Sequence, residues 1–311
     1  MENDGYRVGE EHPDNAIPNG FDVRLPYISE IGPSVYGILE AAWLVPAILA
    51  GVNNRIWEYN PTVHKLQNVI KIWEEFGWLD GDGDSLKLSA SGERLVKIAP
   101  LVDYEFSMMN QQLDRNYVTD PRKYSKLRAA LAVYTEEFMP NLLRYVACLT
   151  SPGSDKKVLD FGGGDGVYLE ATLHACPDAI GYLYDKAPGT RLAGNQSTEI
   201  IVADFADVTN HFQLSSLDTI IVSEVLHVLG KEKQHTVMTT LVALLKTGGK
   251  LVVIEQQPNF RLDWRMEAMT EAGACLTPSD VVALADSLSG ALTKTGEQTS
   301  ATHHVFVFTK V

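Results

Sequence analysis

Val158-Leu-Asp-Phe-Gly-Gly-Gly-Asp-Gly-Val-Tyr168 is the part of this sequence in which residue types and spacing say most about chemistry. An apolar run passes directly into a glycine-rich turn that opens a helical pattern. Glycines are required where a backbone turns sharply and lets a ligand approach closely. Asp160 sits just before the turn, where a carboxylate can reach a ligand directly or through water. Asp185 closes the next strand-like run, about 20 residues beyond the loop, the place from which an acid accepts hydrogen bonds from ribose hydroxyls. Asp204-Phe205 follows a third such run and offers an acceptor for an adenine amino group with an aromatic ring beside it. Together these residues outline a nucleoside pocket along the carboxyl ends of parallel strands.

The kind of nucleoside follows from what the loop lacks. A dinucleotide fingerprint needs glycine three places after Gly164, where Val167 stands, and a Walker loop needs Gly-Lys-Ser/Thr, which is absent. Asp160 and Asp165 would repel a pyrophosphate but tolerate a cationic sulfonium, so S-adenosylmethionine is the favoured ligand.

The elements that must position this pocket are readable in outline. After residue 155, short β-branched runs alternate with helical segments. Strands are predicted at 157–161, 180–185, 200–203, 219–223, 250–255 and 305–309. Helices are predicted around Leu169, Leu173 and Cys176, and around Val237, Leu241 and Leu244. Such alternation implies an α/β fold, a parallel sheet covered by helices on both faces. The turn-rich stretch from Thr150 to Asp155 reads as a boundary. Residues 1–20 are expected to be a flexible terminus, 21–150 a mainly helical domain and 151–311 the ligand-binding domain.

Within 21–150, Val63, Leu66, Ile70 and Trp73 fall on one helical face with Thr62 placed to cap it. Leu127, Leu131, Tyr134, Phe138, Leu142, Tyr145 and Leu149 keep helical steps, with a kink or break expected at Pro140. Between them, Trp78 to Leu88 reads as a small hairpin around Asp-Gly turns, which suggests a winged-helix arrangement. Residues 21–106 hold 7 Lys and Arg against 12 Asp and Glu, the wrong sign for reading DNA, so dimerisation is the expected role. Asp80, Asp82 and Asp84 invite a calcium loop, but Ser85 and Ser91 stand where such a loop needs Gly and Glu.

Composition narrows the function class. A net charge of −14 disfavours nucleic acid and anionic membranes as partners. The acidic start lacks a signal-peptide pattern, and no apolar run approaches the roughly 18 residues of a membrane span. Cys148, Cys176 and Cys275 form no CxxC pair, which suits buried free thiols in a reducing cytoplasm.

With these motifs in place, the sequence resembles the class I S-adenosylmethionine-dependent methyltransferases. More narrowly, it is similar to the small-molecule O-methyltransferases in which a winged-helix dimerisation domain precedes a Rossmann-like domain. VLDFGGGDG carries the likeness, supported by VADF, SEVLHVLGKEK and GGKLVVIEQQ. The resemblance implies a homodimer. It implies His227 as general base toward an acceptor hydroxyl, with Glu255 orienting it. Asp160, Gly162, Gly164, Asp185, Asp204, Phe205 and Ser223 would then hold the cofactor. Tyr134, Phe138, Met139 and Glu224 would face the acceptor, although a Tyr–Phe–Met stripe also suits an ordinary core.

Val228-Leu229 stand where the family usually has Asp-Trp after the histidine. A thioether acceptor, methylated on sulfur without any base, is therefore the alternative to O-methylation. Glu224, Tyr134 and Trp264 would be the groups near the new sulfonium. A cofactor-binding regulator without catalysis is the reading from a different class.

Overall fold

The computed structural model describes residues 35–58, 64–81, 86–109, 121–149, 156–257, 276–300 and 303–311. They fall in two compact units, residues 1–106 and 107–311. The unit boundary lies well before the turn-rich stretch near 150, so the helices that precede that stretch belong with the sheet.

The N-terminal unit contains α1 (Val35–Asn54), α2 (His64–Glu75) and most of α3 (Ala90–Met109). The expected hairpin is present as β1 (Leu79–Asp80) paired antiparallel with β2 (Lys87–Leu88). Trp73 and Trp78, both fully buried, meet edge to face with ring centres 5.5 Å apart. They anchor a small core with Ile48, Ile56, Leu79 and Leu95. Trp73 also donates its indole N–H to the Ala47 carbonyl at 3.1 Å, which satisfies the polar end of a buried ring. The Asp82–Ser85 turn and Thr62 lie outside the described residues.

The second unit is built on seven strands. These are β3 (Lys157–Phe161), β4 (Ile180–Asp185), β5 (Thr198–Val202), β6 (Leu217–Ser223), β7 (Leu245–Gln256), β8 (Leu292–Thr299) and β9 (His303–Lys310). Their order is β5-β4-β3-β6-β7-β9-β8. β3 to β7 are parallel, whereas β9 runs antiparallel to both β7 and β8. The all-parallel sheet expected from the alternation is thus corrected to a mixed one, because 292–310 returns as a hairpin with no helix to reverse it.

Period-two burial assigns the faces. Leu159, Phe161, Ile220, Val222, Leu251 and Val253 enter one core, with α7 (Lys231–Leu244) and α8 (Pro278–Asp286) over it. Val158, Ile221, Val252 and Ile254 enter the other, beneath α6 (Val167–Ala175) and α5 (Pro140–Ala147). Both faces are covered, and the central strands accordingly carry unbroken buried apolar runs such as Ile220–Val222 and Leu251–Ile254.

α4 (Pro121–Phe138) ends where α5 begins, at Met139–Pro140. Proline cannot donate into a preceding turn, so it opens a new helix instead. The buried face of α4 differs from the expected stripe. Leu131 is 37% exposed, and Arg128, Ala132 and Thr135 face inward. No described helix is long and apolar enough to cross a membrane.

Candidate active site

β3 delivers the glycine loop at the carboxyl edge of the sheet. Gly162, Gly164 and Gly166 have φ of +69°, +61° and +83°, a left-handed backbone that side chains disfavour. The loop is also closed to substitution from within. A Cβ on Gly163 would lie 2.4 Å from the Asp160 carboxyl carbon. A Cβ on Gly162 would lie 2.4 Å from Val225, with Phe205 next in line at 3.4 Å.

Asp160 is fully buried behind this loop, and neither carboxylate oxygen makes a hydrogen bond of normal geometry. Burial pushes its pKa up to about 7, against the pull of the Leu169 amide and Arg128. A buried polar group left in this state marks a place where a ligand or water belongs.

Asp185 ends β4 beside the loop. Its Oδ1 accepts from the Ala187 amide at 2.8 Å and its Oδ2 from the Gly164 amide at 3.2 Å. Arg128 of α4 completes the arrangement with hydrogen bonds to both oxygens and to the Ala187 carbonyl. Arg191 performs a related task at the loop's outer side. It binds Asp165 at 3.2 Å, Glu170 at 2.8 Å and Glu136 of α4, so one guanidinium ties the loop to two helices. Sequence reading missed both arginines. Their partners lie more than twenty residues away, and no periodicity marks a long-range ion pair. The usable signal for Arg128 was its helical spacing with Ala132 and Thr135, a line of small residues that lets α4 approach closely.

Asp204 and Phe205 follow β5. Asp204 caps a short 3-10 turn with its side chain on the Ala206 amide at 3.2 Å, and its carbonyl accepts from the Tyr184 hydroxyl. Phe205 packs on Phe161, ring centres 4.8 Å apart. These two residues and the glycine loop therefore lie at the carboxyl ends of β5 and β3, with Asp185 at the end of β4 between them.

The second half of the site follows β6. Ser223 is its last residue, and Glu224 takes φ +55°, a left-handed turn that starts the 3-10 segment Leu226–Val228. His227 is buried there, with Nδ1 2.7 Å from Glu255 Oε2, while Glu255 Oε1 accepts from the Leu226 amide at 3.0 Å. One carboxylate thus fixes both the imidazole and the backbone that carries it. Glu224 accepts hydrogen bonds from Gln256 at 2.8 Å and from His303 Nε2 at 3.0 Å. Burial works to raise its pKa, but the His303 bond, with His227 and Gln256, holds it down at about 2.

Tyr134 is half-buried and Met139 buried, both against the core on the α6 face. The Phe138 side chain, Trp264 and Cys275 lie outside the described residues. Among the described residues, no cluster of His, Cys, Asp or Glu is arranged to hold a metal.

Residues 159–253 match a family described as the methyltransferase domain. The chain carries a methyltransferase domain. Its sheet is the Rossmann-like one of class I methyltransferases, and the matched segment runs from β3 into β7, ending just before Glu255 and Gln256. Solved structures agree over most of the chain. An O-methyltransferase family protein from Burkholderia thailandensis is 16% identical, with 89% of this chain and 98% of that one covered at a TM-score of 0.66. Mitomycin 7-O-methyltransferase is 17% identical, with 89% and 97% covered at 0.67. An O-methyltransferase from neocarzinostatin biosynthesis, solved with S-adenosylmethionine and 2-hydroxy-5-methyl naphthoic acid, is 16% identical, with 86% and 96% covered at 0.60. No curated protein sequence matches the chain.

Proposed function

We propose that the protein transfers a methyl group from S-adenosylmethionine to a hydroxyl of a small-molecule acceptor, with His227 as general base. The observation that carries this reading is the buried His227–Glu255 pair beside a glycine cradle in a methyltransferase domain. The structural neighbour that was solved with S-adenosylmethionine and a hydroxylated naphthoic acid supports it.

The cradle's chemistry fits the cofactor. Asp160 keeps two oxygens without a hydrogen bond at its floor. Asp185 at the end of β4 is the acid positioned toward the ribose, whose hydroxyls would replace the donors it now has in Arg128 and Gly164. Asp204 and Phe205 serve the adenine end, and Ser223 the sheet side. Arg128 lies over Gly164 and supplies positive charge for the carboxylate of the methionyl end. S-adenosylmethionine, when bound there, supplies a methyl on a sulfonium leaving group.

Glu255 accepts a hydrogen bond from Nδ1–H of His227 and so selects the tautomer whose lone pair is on Nε2. That nitrogen takes the acceptor's hydroxyl proton as the oxygen attacks the methyl. Glu255 stabilises the imidazolium that results. Most of the remaining acceleration comes from holding the two reactants in line. Tyr134 and Met139, near the junction of α4 and α5, are the described residues that would form the acceptor wall.

Replacing His227 by Ala is the direct test. Turnover should fall by about 10²–10⁴-fold while S-adenosylmethionine affinity stays unchanged. Near-normal turnover would remove the base and favour S-methylation of a thioether. That second reading draws on Glu224, whose carboxylate stands where a new sulfonium could be stabilised. The homodimer, the winged-helix role of the N-terminal unit and a cytoplasmic location belong to the same proposal.

A further inference from the structure

The mechanism above uses one His–carboxylate pair, yet the sheet edge made by the carboxyl ends of β6 and β7 and the start of β9 holds two. Glu224 and His303 form the second, 3.0 Å apart, and Gln256 braces the other oxygen of the same carboxylate. Three features set this pair apart from a structural ion pair. Glu224 keeps a left-handed backbone conformation with φ +55°, which side chains disfavour and which persists where position matters. Its carboxylate contacts two donors, neither of them Lys or Arg, and an ionised carboxylate has about four lone-pair sites. The Glu224 side chain remains 27% exposed although His303 is 4% exposed, so the acid is presented and its support is buried.

A separate observation points to a ligand beside it. The Tyr168 hydroxyl on α6 is buried and makes no hydrogen bond of normal geometry, with Ser223 the side chain nearest to bonding it. Burial first, and then the nearby Glu224 charge, raises its pKa above the ordinary value. His227 follows Glu224 by three residues in the same turn after β6, and its charge helps to draw the Glu224 pKa down. The presented carboxylate and the base thus leave the same strand end, with the Tyr168 hydroxyl near enough to feel the Glu224 charge.

We infer that Glu224, braced by His303 and Gln256, is a specificity determinant that binds a protonated amine carried by the acceptor. This rests on the assignment of the acceptor site to the His227 end of the cradle. A cationic nitrogen would occupy the lone-pair sites that Gln256 and His303 leave open on this carboxylate, and charge-assisted hydrogen bonds are roughly twice as strong as neutral ones. The same contact would serve an amino acid-like thioether or an aminophenol.

Matched phenols that differ only in the amine provide the test. Tyramine and 4-ethylphenol are titrated calorimetrically into the full chain saturated with S-adenosylhomocysteine. Tyramine should bind about tenfold or more tightly. Glu224→Gln should bring the two within about twofold. Because Asn tolerates positive φ better than most residues, Glu224→Asn keeps the fold if Gln does not, and it should erase the preference equally. Equal affinities for the wild type, binding of neither phenol, or a preference that survives both substitutions would overturn the inference. Methyl transfer is measured separately on the same samples. A retained amine preference without transfer would count against the proposed reaction and leave this assignment standing.

Discussion

Arg128 and Asp185, 57 residues apart in the chain, form a buried two-pronged ion pair, with Nη1 3.0 Å from Oδ1 and Nη2 on Oδ2. The pair joins α4 to the strand end at which the cofactor's ribose is proposed to bind. It thereby couples a helix at the proposed acceptor wall to the donor side of the site. Breaking one partner strands the other charge in a poorly solvated place. Arg128→Ala is expected to cost about 3 kcal/mol in urea unfolding, with Arg128→Lys between the two because a point charge cannot make the paired contact. A loss below about 1 kcal/mol, the range of a solvated surface pair, would show that Asp185 is not held this way.

The buried carboxyl of Asp160 has a pH signature of its own. Its folded pKa, raised from 3.8 to about 7, means that the native state holds a proton which the unfolded chain has released. Its contribution to stability is therefore fully present below pH 3.8 and is lost as the pH rises through 7, by up to about 4 kcal/mol. Glu224 acts oppositely. Its pKa, lowered from 4.5 to about 2, gives stability above 4.5 that is lost on acidification. Asp160→Asn should flatten the decline between pH 4 and 7 in denaturation curves, and an unchanged slope would dissociate it from Asp160. The same substitution should weaken S-adenosylmethionine binding at pH 8, where the wild-type carboxylate is ionised.

Gly163 matters for space and not for backbone freedom. An added Cβ meets the Asp160 carboxyl at 2.4–2.7 Å, and Asp160 is fully buried with nowhere to retreat. Gly163→Ala should cost about 1–3 kcal/mol through overpacking and lower S-adenosylmethionine affinity at least in proportion. Titration calorimetry that finds wild-type affinity would mean the loop does not touch the cofactor.

Much of this site was legible in the sequence because its signals are local. The strand ends at Lys157–Phe161 and Ile180–Asp185 match expectation residue for residue, since apolar runs meet glycine and acidic residues there. β8, Leu292–Thr299, carried no such signal. It is a polar edge strand, exposed along most of its length, and the antiparallel pairing with β9 makes it a strand at all. The helix at Pro278–Asp286 had a readable cue in Thr277 and Asp280, which form a capping box, but its apolar stripe is short. Arg128, Arg191 and His303 act through partners brought together only by the fold. Leu131 misled because periodicity alone gives a face without saying which neighbour covers it.

The Glu255 carboxylate holds both His227 and the Leu226 amide, so its removal should be felt in turnover more than in binding. Glu255→Gln preserves shape but cannot stabilise an imidazolium. kcat is expected to drop by about 10²-fold with KM for the acceptor little altered. An equal change in KM and none in kcat would assign Glu255 to binding alone.

The central claim is that a methyl group passes from sulfonium to an acceptor oxygen with His227 taking the proton. Incubating the protein with methyl-labelled S-adenosylmethionine and a panel of small hydroxylated, thioether and amine acceptors, then locating the label by mass spectrometry and NMR, tests it most directly. The account expects the label in a methyl ether, one S-adenosylhomocysteine per product, and its near disappearance in His227→Ala. Label recovered on sulfur, or ether formation undiminished in that variant, would contradict it.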